Sequence, residues 1–423
     1  MSWAATLVLV GLLFGQERGD ALVVRVPVSE AGSIDGGELM VRLGKAIGVK
    51  VERPKATFSL PVRGPAGLVS RSLMAQTLGP CVSIEVKAEE VVLRVDPEAL
   101  TDAQRPALRE RLQMFAKNTR FLPGDPTSRY GFTPQKSYRP NNPDRPTICL
   151  IHGINSSSDS FVHLIPALES EGFGVVVYNY PYDRDLDEMV VIFASDWAAF
   201  RREKQEQCKW TILTHSMGSL LARSYVEGEH YLEDVSHLFL IGPTNRGAAV
   251  ANGQKLLRLA RRLQPAREKE QELQAGNGDD LGAAAEDLLP GSKFLEALNA
   301  RPRRQGVSYH ILAGSGGFLS PSARTQVEAY LATVTGQGGL LGGLSRFATS
   351  GVGPVLDELT AGTGDGCVTL ASTRLDGVID HETIPANHVE LIRGPLLYPD
   401  PGPIACLPFI LKRIQAKPIV AGR

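Results

Sequence analysis

The sequence predicts a doubly wound, mostly parallel α/β domain with lid-like insertions, preceded by a small α+β domain. Three observations lead there. From Thr147 onward, short apolar runs alternate with helical stretches, the pattern of strands buried on both faces. One of those runs, Trp210 to Leu213, passes through Thr214-His215-Ser216-Met217-Gly218 into a helix-like stretch containing Leu220, Leu221 and Ala222. Residues ~20 to ~98 carry their own separate set of strand and helix patterns. With 423 residues the chain has room for one large and one small domain.

Composition narrows the functional classes. Apolar residues make up 43% and charged residues 22%, ordinary for a chain with a sizeable core. A formal net charge of -1 gives no electrostatic footprint for nucleic acid. No Cys/His spacing suits a zinc site, and the acyl-transfer chemistry expected below needs neither a metal nor an organic cofactor. The basic stretch Arg258 to Arg267 is balanced by adjacent acidic residues and reads as a solvated helix face. The five cysteines, Cys81, Cys149, Cys208, Cys367 and Cys406, show no framework pattern. Cys149 and Cys208 read as small core residues, and Cys367 with Cys406 is the one pairing worth testing against free thiols.

In chain order, Met1 to Phe14 has an apolar core, Ala4 to Phe14, too short to span a membrane and suited to a signal-peptide h-region. Residues 1–18 are therefore expected to direct export, with envelope or membrane-surface contact as a corollary; a misassigned start or a buried first strand is the alternative. Next come a strand at Leu22 to Val28, a helix at Gly37 to Ile47 and a strand at Val49 to Glu52. A second helix at Leu68 to Leu78 and a hairpin of Val82 to Val86 with Val91 to Val95 complete the module of residues 20–98. In pattern it resembles the short N-terminal domain of secretins and TonB-dependent receptors. That implies docking or binding; a structural appendage fits equally. Residues 99–146 read as a charged helix, Pro97 to Arg120, and an aperiodic linker, Phe121 to Pro146.

The large domain is expected over 147–415. Its strands are predicted at Thr147 to Ile151, Gly174 to Tyr178, Trp210 to Thr214, Val235 to Ile241, Val307 to Ala313 and Gly377 to Ile384. Helices are predicted at Phe161 to Ser170, Leu186 to Lys204 and Met217 to Glu227. Two insertions interrupt the alternation, residues 248–304, with an amphipathic stretch at Leu256, Leu257, Ala260 and Leu263, and residues 315–364, with the Gly/Leu-rich run Gly336 to Leu344. Both a lid over a site and a packed surface helix are consistent with them.

Chemistry concentrates at predicted strand ends. A serine on a strand-turn-helix junction has its hydroxyl exposed on a strained turn, so Ser216 is the candidate nucleophile. A hydroxyl needs a base to take its proton and an acid to orient that base. His388, in Ile384-Pro-Ala-Asn-His-Val-Glu, lies just past the last strand, and Asp365 sits between Gly364 and Gly366 in a tight turn. The order Ser, Asp, His fits. The first strand ends in His152-Gly153-Ile154, where a sharp turn can aim the Ile154 N–H at a bound oxygen alongside that of Met217. His215 and Gly218 support the elbow, as His152 and Gly153 support the turn. His381 is the competing base, poorly placed inside or at the edge of the last strand; His310 and His152 read as structural histidines, and Asp357, Asp376 and Asp380 are the alternative acids. Thr214 occupies the elbow position where glycine is commonest and threatens to crowd it.

On these residues, the stretch from ~147 to ~412 resembles the α/β-hydrolase superfamily of lipases and esterases, and within it the group that includes the GPI inositol-deacylase enzymes. The turn Gly242-Pro-Thr-Asn-Arg-Gly-Ala248 and the helix region Asp287 to Asn299, with its serine cap, are similar to that group's. The resemblance implies cleavage of an ester or lipid-like substrate through a Ser-His-Asp triad. An acyltransferase or amidase with the same triad, and a catalytically idle hydrolase-fold scaffold, are the competing expectations.

Overall fold

The computed structural model describes residues 22–30, 32–46, 59–63, 67, 71, 82–95, 130–154, 156–182, 184–249, 283–335, 352–393 and 404–414. The expected signal peptide, the strand at 49–52, most of the helix at 68–78, the helix at 97–120, the amphipathic stretch at 256–263 and the run 336–344 lie outside them. The chain divides into two units, a smaller N-terminal one and a larger one.

In the smaller unit, β1 (Leu22–Pro27), β2 (Ser33–Asp35), α1 (Gly36–Ala46), β3 (Ser59–Pro61), β4 (Val82–Val86) and β5 (Glu90–Val95) follow one another. β1, β5 and β4 form an antiparallel sheet in that order, and β2 pairs with β3. The Asp35 side chain accepts from the Glu38 N–H at 2.8 Å and so starts α1 where a free N–H would otherwise be left. Val24, Val26, Val91 and Leu93 are buried.

The larger unit is a seven-stranded sheet in the order β12-β11-β10-β9-β7-β8-β6. Its strands are β6 (Gly131–Pro134), β7 (Thr147–Ile151), β8 (Gly174–Asn179), β9 (Trp210–His215), β10 (Val235–Ile241), β11 (Ser308–Gly314) and β12 (His381–Ile384). All neighbours are parallel except β6, which runs antiparallel to β8. Alternate residues feed two cores. Cys149, Ile151, Val176, Tyr178, Ile212 and Leu240 face one, with Phe193 and Trp197 of α3 (Leu186–Glu203) and Leu220 and Tyr225 of α4 (Gly218–Val226). Ile148, Leu150, Val175, Val177, Leu213 and Ile241 face the other, with Leu164 and Leu168 of α2 (Leu164–Ser170) and Phe409 of α8 (Cys406–Ile414). The two-residue period of the strands sets this division. α3 starts at Asp185, whose carboxylate accepts from the N–H groups of Asp187 and Glu188.

The sheet order places a topological switch at β7, with β8 on one side and β9 on the other. In open parallel sheets such a point leaves a crevice at the carboxyl ends of the strands. Residues that must converge are therefore those just past β7 and β9.

Several expectations need correcting. The linker Phe121 to Pro146 contains β6; four residues ending in proline carry no periodicity, and proline is tolerated there because β6 is an edge strand. The helix expected from Phe161 begins at Leu164, after a 3-10 turn over Ser158–Phe161. Pro166 lacks an N–H and fits the first turn of a helix but not its interior. β12 covers only His381–Ile384 rather than Gly377 onward, because Gly377 has a left-handed φ of 81°. Of the two readings of Cys367 and Cys406, free thiols is the one the structure bears out, and Cys149 and Cys208 are free as well. The second insertion holds α6 (Pro321–Thr335) and α7 (Val352–Leu359), joined by an Arg324–Asp357 ion pair at 2.6 Å. The described end of the first insertion includes α5 (Lys293–Ala300). No helix among the described residues is long and apolar enough to cross a membrane.

Phe193 is fully buried between the rings of Tyr178 and Tyr225, at 4.9 and 5.2 Å. Phe193→Ala is expected to lower unfolding free energy by about 3–5 kcal/mol in a denaturant titration.

Candidate active site

β9 ends at His215, and α4 begins at Gly218, so the chain must reverse over Ser216 and Met217. Ser216 takes a left-handed φ of 56°, a conformation that costs a non-glycine residue about 1–3 kcal/mol. Two hydrogen bonds hold it there: its N–H donates to the Ile241 carbonyl at 3.0 Å, and its carbonyl accepts from Ser219 N–H at 3.0 Å. The elbow also needs close backbone approach. A Cβ on Gly153 would lie 2.7 Å from Ser216 Cβ, and one on Gly218 would lie 2.4 Å from the His152 carbonyl oxygen. Only glycine allows the end of β7 and the end of β9 to meet this closely.

Thr214 does not crowd this junction. Its hydroxyl is fully buried, 2.8 Å from Ser219 Oγ, and donates to the Phe239 carbonyl at 3.0 Å. Threonine here ties β9 to β10 and to the first turn of α4.

The turn after β7 is equally fixed. His152 Nδ1 lies 2.9 Å from the Gly153 carbonyl, and its Nε2 accepts from Tyr180 N–H at 3.3 Å. The Tyr180 hydroxyl donates to the His152 carbonyl at 2.8 Å, and its ring stacks on the imidazole at 4.4 Å. Burial pushes the His152 imidazole down to about 4, so it is neutral at physiological pH, the form this bonding pattern requires. Among the described residues, the N–H groups of Ile154 and Met217 donate to no protein acceptor. Met217 caps α4, where free N–H groups and the helix dipole favour negative charge.

Asp365 and His388 meet on the other side of β10. His388 Nδ1 lies 2.7 Å from Asp365 Oδ2, and His388 N–H donates to the Asp365 carbonyl at 2.8 Å. Asp365 Oδ1 accepts from the N–H groups of Cys367 and Val368 at 3.0 and 2.8 Å. The carboxylate is fully buried, so these donors replace the water that a buried charge would otherwise lack. Gly366 makes the turn with a φ of 101°. Ser216 and His388 are nearly buried, at 8% and 5% exposure. Beside Asp365, burial and the carboxylates of Asp365 and Glu358 push the Cys367 thiol well up.

The competing residues are engaged elsewhere. His381 Nε2 lies 2.9 Å from Thr373 Oγ1, and His310 joins His237 and Asp380. Asp357 pairs with Arg324, Asp376 with Arg246, and Asp380 with Arg413. Among the described residues, no group of three or more His, Cys, Asp or Glu side chains could hold a metal ion. Sequence reasoning missed Tyr180, which holds the His152 turn. It also missed the contact of His215 Nε2 with the His388 carbonyl at 2.9 Å. Neither residue stands beside its partner in sequence, so no local pattern announces the pair.

Residues 146–280 match the family described as alpha/beta hydrolase fold. With the sheet order and the elbow, this gives the larger unit the α/β-hydrolase fold. No curated protein matches the chain. Among solved structures, a lipase of Bacillus licheniformis in mature form is similar at 17% identity, covering 68% of this chain and 99% of its own, with a TM-score of 0.43. An alpha/beta hydrolase fold protein of Burkholderia ambifaria is 17% identical, covering 64% of this chain and 91% of its own, with a TM-score of 0.33. Phospholipase PlaB of Legionella pneumophila is 19% identical over 40% of this chain and 39% of its own, with a TM-score of 0.30.

Thr214→Val keeps the shape but removes the hydroxyl, leaving Ser219 Oγ and the Phe239 carbonyl each short of a buried partner. It is expected to destabilise the protein by about 1–3 kcal/mol in thermal or denaturant unfolding.

Proposed function

We propose that the protein is a serine hydrolase of carboxylic esters, with Ser216 as nucleophile, His388 as base and Asp365 as the orienting acid. The observation that carries this reading is the 2.7 Å contact of His388 Nδ1 with a fully buried Asp365 carboxylate. It fixes the tautomer: Nδ1 carries the hydrogen, and Nε2 is left bare to accept a proton. The left-handed Ser216 on its elbow supports the nucleophile's part, and the free N–H groups of Ile154 and Met217 support that of an oxyanion hole.

The reaction then has two halves. The Ser216 hydroxyl attacks the ester carbonyl as its proton passes to His388 Nε2, and the Ile154 and Met217 N–H groups take the developing oxyanion. Collapse of the tetrahedral species expels the alcohol, which receives that proton. Water, deprotonated by His388, next attacks the acyl-enzyme, and Ser216 leaves with the proton returned. Asp365 stays ionised throughout and stabilises the imidazolium.

The substrate class proposed is an apolar, lipid-like ester whose acyl chain lies beneath the insertion of residues 248–304. The apolar residues Leu256, Leu257, Ala260 and Leu263 in the sequence of that insertion support it. The finer kinship with GPI inositol-deacylases rests on the Gly242–Ala248 turn and on the Ser292 cap of α5, which accepts from Leu295 N–H at 3.2 Å. Export to the cell envelope belongs to the same proposal and rests on the apolar run Ala4 to Phe14.

Ser216→Ala and His388→Ala are each expected to abolish hydrolysis of p-nitrophenyl acyl esters in protein that still melts cooperatively. Asp365→Asn should lower kcat by about 10⁴ with KM little changed, since the wrong tautomer would point its hydrogen at Ser216. Full activity in the serine or histidine variant overturns the assignment. Across p-nitrophenyl esters of increasing acyl length, kcat/KM should rise from acetyl to medium chains; a steady fall contradicts the lipid-like substrate.

A further inference from the structure

Two histidine rings, those of His215 and His388, lie side by side, and the reaction above uses only one. His215 immediately precedes Ser216, and its side chain turns toward the loop that carries His388. Its Nε2 lies 2.9 Å from the His388 carbonyl oxygen, and the two rings are 4.6 Å apart between centroids, tilted by 43°. A carbonyl oxygen only accepts, so Nε2 of His215 carries a hydrogen and donates it. The His388 backbone is thus gripped from both ends, its N–H by the Asp365 carbonyl at 2.8 Å and its carbonyl by His215. The first grip sets the base relative to its acid. The second sets it relative to the residue next to the nucleophile.

We propose that His215 is a positioning residue that ties the backbone of the base, His388, to the nucleophile elbow through its Nε2–H. The proposal rests on the assignment of Ser216 and His388 made above. Any shift of the elbow then carries the base with it, and the Ser216–His388 distance is preserved as the surrounding loops move. Held in register this way, a proton transfer avoids the roughly 100-fold penalty that a misplacement near 1 Å brings.

His215 must stay neutral for this task. Burial, first, and then the nearby His388 push its imidazole well below the usual range, with Arg393 and His152 adding to the effect. Those three are the titratable or charged groups with the largest effect on it. A second proton on His215 would put a cation beside the imidazolium that His388 must become.

The test pairs kinetics with a measurement on the unaltered protein. His215→Leu removes the donor, and His215→Gln keeps an N–H at similar reach. With a p-nitrophenyl acyl ester, H215L should lose about 10- to 100-fold in kcat with KM nearly unchanged, and H215Q should regain most of that loss. Wild-type kcat in H215L, or equal damage in both variants, overturns the proposal. Nitrogen-15 correlation spectra of the wild-type imidazoles decide independently of how either variant folds. They should show His215 as the neutral Nε2–H tautomer at neutral pH, and an Nδ1–H or doubly protonated ring there overturns the proposal. Failure of the underlying assignment would be seen separately, as activity retained in Ser216→Ala.

Discussion

The left-handed backbone of Ser216 is the constraint on which the rest of the site depends. A φ of 56° is unfavourable for serine, and the fold holds it by ties from three elements. β10 receives its N–H, the glycine turn after β7 packs against its Cβ, and α4 takes its carbonyl through Ser219. Thr214 closes the arrangement by joining β9, β10 and α4 with one hydroxyl. Because those elements are themselves buried in the core of the sheet, the strain is resisted by packing rather than by a loop.

The electrostatics follow the same plan. Asp365 brings a charge into the interior, and two backbone N–H groups together with the His388 ring meet it. The histidines His152, His215 and His388 therefore differ by environment rather than by type. Among the described residues, His152 and His215 have no carboxylate partner; both are buried and kept neutral, each directed at backbone groups. Of the three, only His388 has a carboxylate partner in the structure. One residue type thus supplies two rings bonded to backbone groups and one bonded to a carboxylate.

Much of this was legible in the sequence where the physics is local. Thr147–Ile151, Gly174–Asn179 and Trp210–His215 are buried along their whole length and mostly apolar, as is the Leu238–Ile241 end of β10, so their positions could be read directly. Ser216, Asp365 and His388 stand next to glycines or strand ends, and the structure brings His388 to Asp365. What could not be read depends on distant partners. β6 is recognisable only by its pairing with β8, and Thr214 looked like an obstruction until Ser219 and Phe239 supplied its bonds. His215 looked like packing because its partner, His388, lies on another strand's loop.

A strained elbow of this kind should make one serine of the chain uniquely nucleophilic. Reaction of the folded protein with a fluorophosphonate, followed by peptide mass spectrometry of the adduct, measures that nucleophilicity at the residue itself. One phosphonyl group per chain is expected, on Ser216, and none after heat denaturation. No adduct on the folded protein, or an adduct on another residue with Ser216 unmodified, would contradict the assignment.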